Sequence, residues 1–185
     1  MPELRVFFHS APTSRFSGTV YRICPARYSE NVVSMRGSLL HGARYNLRGY
    51  FGALYTSLSK ETARREVARY FTVPPIGGFV EASIDLQLNR VLDLTDRKLL
   101  RQAKLQWKQL IQARFYATQE IGLRAWECGM EALLVPSAAD PAERNLAVFL
   151  DNQHPPWKVH LAKVAAQPGL DMTEAGARPQ ARTRG

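Results

Sequence analysis

Glu66 is the residue whose type and place most ask for a reason. Residues 60–71, KETARREVARYF, are strong helix formers with no Gly or Pro before Pro74, and Ser59 offers a side-chain oxygen to cap the first turn. The apolar stripe of this predicted helix runs Ala63, Val67, Tyr70, Phe71, and Glu66 completes its i, i+3 pattern. A carboxylate on such a stripe loses hydration, which is costly unless a cation or hydrogen-bond donors replace the water. Catalysis would explain its presence; so, equally, would an ion pair with a buried arginine or a stripe that ends at the rim.

Arg44 stands in His41-Gly42-Ala43-Arg44-Tyr45-Asn46, between a small residue and an aromatic one, so its guanidinium can reach a cleft while its stem packs. The planar fork suits phosphate oxygens. Residues 36–71 hold seven bases (Arg36, Arg44, Arg48, Lys60, Arg64, Arg65, Arg69) against Glu61 and Glu66, a net of +5 out of +9 for the chain. A solvated helix face accounts for Arg64 and Arg65; the remaining bias favours an anionic ligand near the loop. Ser137 follows the apolar run Leu133-Leu134-Val135 and Pro136, where a strand leaves a sheet, and serves there as a site hydroxyl or as an ordinary turn residue.

Other chemistries find little footing. His9, His41, His154 and His160 lack i, i+4 pairing, and Cys24 and Cys128 lack C-x-x-C spacing, so no metal site is expected and both thiols read as buried and free. There is no G-x-x-x-x-G-K-[ST] and no G-x-G-x-x-G.

The elements that must position these groups follow from pattern. Residues 4–9 and 19–23 read as short strands, 35–52 as a glycine-rich functional loop that resists helix, and 54–58 as a strand with Tyr55 and Ser57 on one face. Residues 79–86 alternate as a half-buried strand, and 91–94 form another short one. Thr95 caps a helix from Asp96, interrupted but continuing to about Cys128, with Ala117, Ile121, Ala125 and Cys128 on one face and Gly129 ending it. Strands follow at 132–135 and 145–150. Beyond Pro168 periodicity is lost, and 168–185 is expected to be a disordered tail behind one domain of residues 1–167. This order points to an α+β domain with a mostly antiparallel sheet and flanking helices.

With 185 residues, 45% hydrophobic and 22% charged, the chain suits one soluble domain, not a coiled coil or a disordered chain. It has no apolar run of membrane-spanning length, and MPELRVFFHSAP is too polar for a signal peptide, so a cytoplasmic location is expected.

Taken in order, Tyr21-Arg22, Gly42-Ala43-Arg44-Tyr45-Asn46, Ala53-Leu54-Tyr55-Thr56-Ser57, Glu66, Leu134-Val135-Pro136-Ser137 and Arg144-Asn145-Leu146 resemble the RES domain over residues 20–151. The family is named for an arginine, a glutamate and a serine, which map onto Arg44, Glu66 and Ser137. Its loop is usually Gly-Gly-Arg-Trp-Asn; Ala43 and Tyr45 depart from that pattern. The resemblance implies a bacterial toxin of a toxin–antitoxin pair, with a fold similar to ADP-ribosyltransferases. Such toxins consume NAD+ by phosphorolysis or hydrolysis, and some transfer ADP-ribose to a protein. An Xre-type helical antitoxin covers the site and supplies any contact with nucleic acid.

On that reading NAD+ is the substrate and no cofactor is needed. Glu66 would stabilise the ribosyl cation, Arg44 hold the pyrophosphate, Tyr55 stack on nicotinamide, and Ser137 orient Tyr55 or the ribose. Arg22, Asn46, Ser57 and Asn145 would complete the substrate-binding set. The competing class is a basic nucleic-acid-binding module using Tyr45, Tyr50 and Phe51 as stacking faces, which carries no recognised motif.

Overall fold

The computed structural model describes residues 2–71, 73–155 and 158–167. The predicted tail at 168–185 lies outside them. Helix α1 (Pro2–Ser10) is followed by strand β1 (Ser14–Pro25), a 3-10 turn (Ala26–Asn31), α2 (Arg36–His41), β2 (Leu54–Ser57), α3 (Lys60–Ala68) and β3 (Phe79–Asp93). Three helices come next, α4 (Arg97–Gln102), α5 (Trp107–Ile111) and α6 (Tyr116–Glu127). The chain then runs through β4 (Ala132–Pro136), β5 (Arg144–Val148), a 3-10 turn (Leu150–Asn152) and β6 (Lys158–Gln167).

The sheet has the order β1-β2-β5-β4-β3-β6, and β1 also pairs with β3, so five strands close into a barrel with β6 added alongside β3. All pairings are antiparallel except β3 with β4, as expected for a mostly antiparallel α+β fold. The closure is what the sequence did not announce. Inside the ring, Val20, Leu54, Ala82, Ile84, Leu88, Ala132, Leu146 and Val148 pack from all five strands. A second core lies outside it, where Leu4 and Phe8 of α1, Leu110 of α5 and Ile121 and Ala125 of α6 cover Leu133, Val135 and Ala147. No helix among the described residues is long and apolar enough to cross a membrane.

Several elements differ from expectation. Residues 4–9 are helix, not strand: Leu4 and Phe8, one turn apart, are buried together against the outer core, and that burial overrides their β-favouring neighbours. The 35–52 loop contains α2, which stops at Gly42 with φ +71°. Helix α3 ends at Ala68, short of Phe71, while Ser59 caps it as predicted through the Thr62 amide. The strands at 79–86 and 91–94 are one strand of 15 residues. Glu131 explains the continuity: fully buried, it accepts the Asn89 amide at 2.6 Å and the His154 amide at 2.9 Å, and its own N–H donates to the Arg90 carbonyl. The cap of α4 is Asp96; Thr95 bonds Asp93 instead. The strand at 145–150 is β5, and Leu150 belongs to the following turn. β6 was not foreseen.

Candidate active site

The cleft opens at the joint of β1 and β2, which are paired at Tyr21–Ser57. Tyr21, Arg22, Arg44, Tyr55, Ser57, Glu66, Tyr70 and Asn145 line it, and it encloses about 270 Å³. Strand alternation explains who arrives from where. Tyr21 and Ile23 face α3, whereas Arg22 shares the inward face of β1 with Val20 and Cys24.

Glu66 is held from one side. Its Oε1 accepts the Ser137 hydroxyl at 2.6 Å, the Asn145 side-chain amide at 2.6 Å, and the backbone N–H groups of Ala138 at 3.0 Å and Ala139 at 3.4 Å. Ser57 donates to Asn145 Oδ1 at 2.8 Å, which turns the Asn145 NH2 toward Glu66. The other oxygen, Oε2, carries no hydrogen bond among the described residues, in a side chain that lines the cleft. No arginine pairs with Glu66 there, so its hydration is replaced by neutral donors. Ser137 is fully buried behind the wall. It holds Glu66 and, among the described residues, makes no hydrogen bond to Tyr55, one of the two groups it was expected to orient, the other being the ribose.

The loop carrying Arg44 is fixed by a hub. Tyr55 Oη donates to Asn46 Oδ1 at 2.9 Å and accepts the Tyr45 amide at 2.8 Å, and Asn46 Nδ2 donates to the carbonyls of Ser38 and Phe51. Burial pushes the Tyr45 and Tyr55 phenols well above the ordinary range, so Tyr55 remains a donor at neutral pH. Asn46 is fully buried and braces the loop; it is not a cleft-lining residue.

The two cleft arginines differ. Arg44 Nη1 donates to the carbonyls of Leu110 at 3.2 Å and Gln112 at 2.7 Å, and the guanidinium lies 4.6 Å from the centre of the Phe115 ring. Part of its fork is therefore spent on the end of α5. Arg22 donates to the Ser34 carbonyl at 3.3 Å, and among the described residues no carboxylate lies within 4.0 Å of it. Burial lowers its pKa, as for a cation that has lost water without gaining an anion.

Arg64 and Arg65, read from the sequence as solvated, are tied down: Arg64 pairs with Glu81 and Arg65 with Asp140 and Glu61. Arg69 donates to the Ala138 carbonyl. Tyr21, Val67 and Tyr70 are cleft residues that sequence reasoning did not place in the site, although Val67 and Tyr70 lie on the same helical pattern as Glu66. Asp140, in a polar turn, gave no signal. Among the described residues no group of three His, Cys, Asp or Glu side chains could hold a metal ion.

The family model described as the RES domain matches residues 19–170. The chain belongs to the RES domain family. The match begins within β1, so α1 lies ahead of it. This chain is 29% identical over 147 residues to a Mycobacterium tuberculosis (strain ATCC 25618 / H37Rv) protein named "Probable NAD(+) phosphorylase". The aligned region covers 76% of this chain and 68% of that protein. A solved chain of the M. tuberculosis MbcT–MbcA toxin–antitoxin complex superposes with a TM-score of 0.78 at 22% identity, covering 95% of this chain and 97% of the other. That likeness shows that the two chains share a fold.

Proposed function

We propose that this RES-domain protein is an NAD+-consuming toxin that breaks the bond between nicotinamide and ribose C1′. The observation that carries the reading is the Glu66 carboxylate, with Oε1 bonded by four donors and Oε2 without a hydrogen bond among the described residues, in a cleft that also holds two arginines. The curated relative named for NAD+ phosphorolysis supports the substrate. The fold is then a variant of the ADP-ribosyltransferase arrangement, and the protein works in the cytoplasm.

Cleavage leaves positive charge on the ribose, as in glycoside hydrolysis, while nicotinamide departs neutral with the bonding electron pair. It needs no proton, so a single carboxylate suffices and no metal or organic cofactor is called for. Glu66 Oε2 is the anion that stabilises the ribosyl cation and accepts from a ribose hydroxyl. Arg22 and the free edge of Arg44 hold the pyrophosphate, and the ring of Tyr55, its hydroxyl engaged with the loop, offers a face to nicotinamide. Ser57 and Asn145 keep Glu66 in place. A phosphate oxygen that attacks C1′ yields ADP-ribose 1″-phosphate; water yields ADP-ribose and a proton; a protein side chain becomes ADP-ribosylated.

The deciding experiment incubates purified protein with NAD+, with and without phosphate, and identifies products by mass. Nicotinamide release that persists in EDTA is expected, with the phosphorylated product appearing only in phosphate buffer. Loss of turnover in EDTA, restored by zinc or magnesium, would remove the metal-free mechanism.

The MbcT–MbcA complex supports a toxin–antitoxin partnership. A helical, acidic or neutral Xre-type antitoxin is the proposed partner, covering residues 36–71, where Leu40, Tyr50 and Tyr70 are exposed. Bound antitoxin is expected to slow amide exchange in that segment; an unchanged 36–71 in the complex would place the interface elsewhere. Nucleic acid would be met only through the antitoxin. Direct binding is disfavoured because Tyr45 and Phe51, two of the three candidate stacking aromatics, are 1% and 2% exposed.

A further inference from the structure

Helix α3 carries Glu66, yet Thr62 and Ala63 are its only buried side chains. Val67 adds a partly buried contact on Ile23 and Phe79, so the apolar packing that fixes this nine-residue helix is small. Glu81, on β3 beneath the helix, is 4% exposed and takes one cation on each oxygen: Lys60 Nζ at 2.7 Å on Oε1 and Arg64 Nη2 at 3.1 Å on Oε2. The two cations are one helical turn apart. From its other flank the helix reaches the loop after β4, where Arg65 bonds Asp140 and Arg69 bonds the Ala138 carbonyl. Lys60 Nζ also lies 5.7 Å from the ring centre of the cleft residue Tyr21.

Glu81 sits among Ile23 and Phe79, where an apolar side chain would be accommodated without burying a charge. An apolar contact tolerates sliding and rotation. A carboxylate clamped between two turns of a helix tolerates neither, because both ion pairs depend on the same register. Glu66 lies two residues beyond Arg64, and the four donors to its Oε1 come from β5 and the loop after β4, not from the helix itself.

We propose that Glu81 is a positioning residue for the reaction: through Lys60 and Arg64 it sets the rotation and height of α3, and with them the place of the Glu66 carboxylate. The proposal rests on Glu66 being the reacting carboxylate. Its signature is a loss of turnover out of proportion to the loss of fold.

The test compares Glu81→Gln, Lys60→Met, Arg64→Met and the double variant Lys60→Met/Arg64→Met with the parent in steady-state kinetics and amide exchange. In Glu81→Gln, kcat is expected to fall about tenfold or more with KM for NAD+ within about threefold. Amides of α3 should exchange about tenfold faster, with those of β4 and β5 unchanged. The two methionine variants, which alter half-exposed side chains and spare the interior, should each reproduce part of the kcat loss. The double variant should lose less than the product of the two. Arg64→Lys should recover most of what Arg64→Met loses. A melting temperature that drops while the folded enzyme keeps its kcat, or α3 exchange that matches the parent in all variants, overturns the proposal. Should the parent consume no NAD+, the reading of Glu66 fails, and the exchange arm still decides whether Glu81 holds the helix.

Discussion

Replacing Glu66 by glutamine is expected to lower NAD+ turnover by about 10²–10³-fold with little change in thermal stability. The amide oxygen of glutamine can take over Oε1's role and accept from Ser137, Asn145 and the two backbone N–H groups, and the NH2 then occupies the Oε2 position. Fold is kept and the charge proposed to meet the ribosyl cation is lost. Glu66→Ala behaves differently. Helix propensity alone favours alanine, and an uncharged residue on this stripe predicts unchanged or slightly raised stability. The donors reverse that sign: alanine leaves a buried hydroxyl, a side-chain amide and the Ala138 N–H without their acceptor, while the Ala139 N–H keeps Ser137 Oγ at 3.1 Å. We expect a loss of about 1–3 kcal/mol, with water entering from the cleft limiting it. For a chain of this size that is a fall of about 2–4 °C in Tm per kcal/mol. A melt and an NAD+ assay on parent, Gln and Ala variants check both statements. Near-parental turnover in Glu66→Gln would take Glu66 out of the chemistry.

Gly122→Ala carries the second large effect. A glycine inside a helix ordinarily gains about 0.8–1 kcal/mol on becoming alanine. In α6, however, a Cβ at position 122 would stand 1.8 Å from the Tyr45 carbonyl oxygen and 2.6 Å from its carbon, where real contacts stay beyond 3.0 Å. The obstacle is backbone and cannot swing aside. Either α6 retreats from the outer core or the Ala43–Asn46 bridge is pushed outward by more than an ångström, and the overpacking costs about 1–3 kcal/mol or more. Gln119, one turn earlier, donates to the Ala43 carbonyl, so the displacement strains that bond as well. Because the displaced loop carries Arg44 and holds the Tyr55 hydroxyl, turnover in the folded fraction should drop about 10²-fold, the usual consequence of a misplacement of about 1 Å. A Tm at or above that of the parent would show that α6 and the loop are not in this contact.

Much of the site was legible along the chain because it rests on local rules. Ser59 and the run of helix formers placed α3. The alternation of 54–58 put Tyr55 and Ser57 on one strand face, and the stripe Ala63–Val67 brought Glu66 to the edge of the buried face. Each of these depends on residues within a few positions of one another, where the periods of helix and strand govern. The ordered motifs from Tyr21 to Leu146 marked the family on the same terms.

What the sequence did not contain was decided by contacts across the chain. Residues 4–9 have the composition of a strand and become helix because the outer core needs Leu4 and Phe8 on one face. The barrel closes through the long pairing of β1 with β3, a partnership that neither strand's pattern names. Arg64 and Arg65 look like any solvated pair until Glu81 and Asp140 arrive from 17 and 75 residues away. Ser137 was recognised, but its partner was not: a hydroxyl can bond whatever the fold brings within about 3 Å, and here that is Glu66, 71 residues earlier. Sequence by itself determined which candidate side chains carry the chemistry the proposed reaction calls for and which local elements bear them. Only tertiary structure decided which atoms meet, because hydrogen bonds and ion pairs act over a few ångströms while the residues that make them are separated by much of the chain.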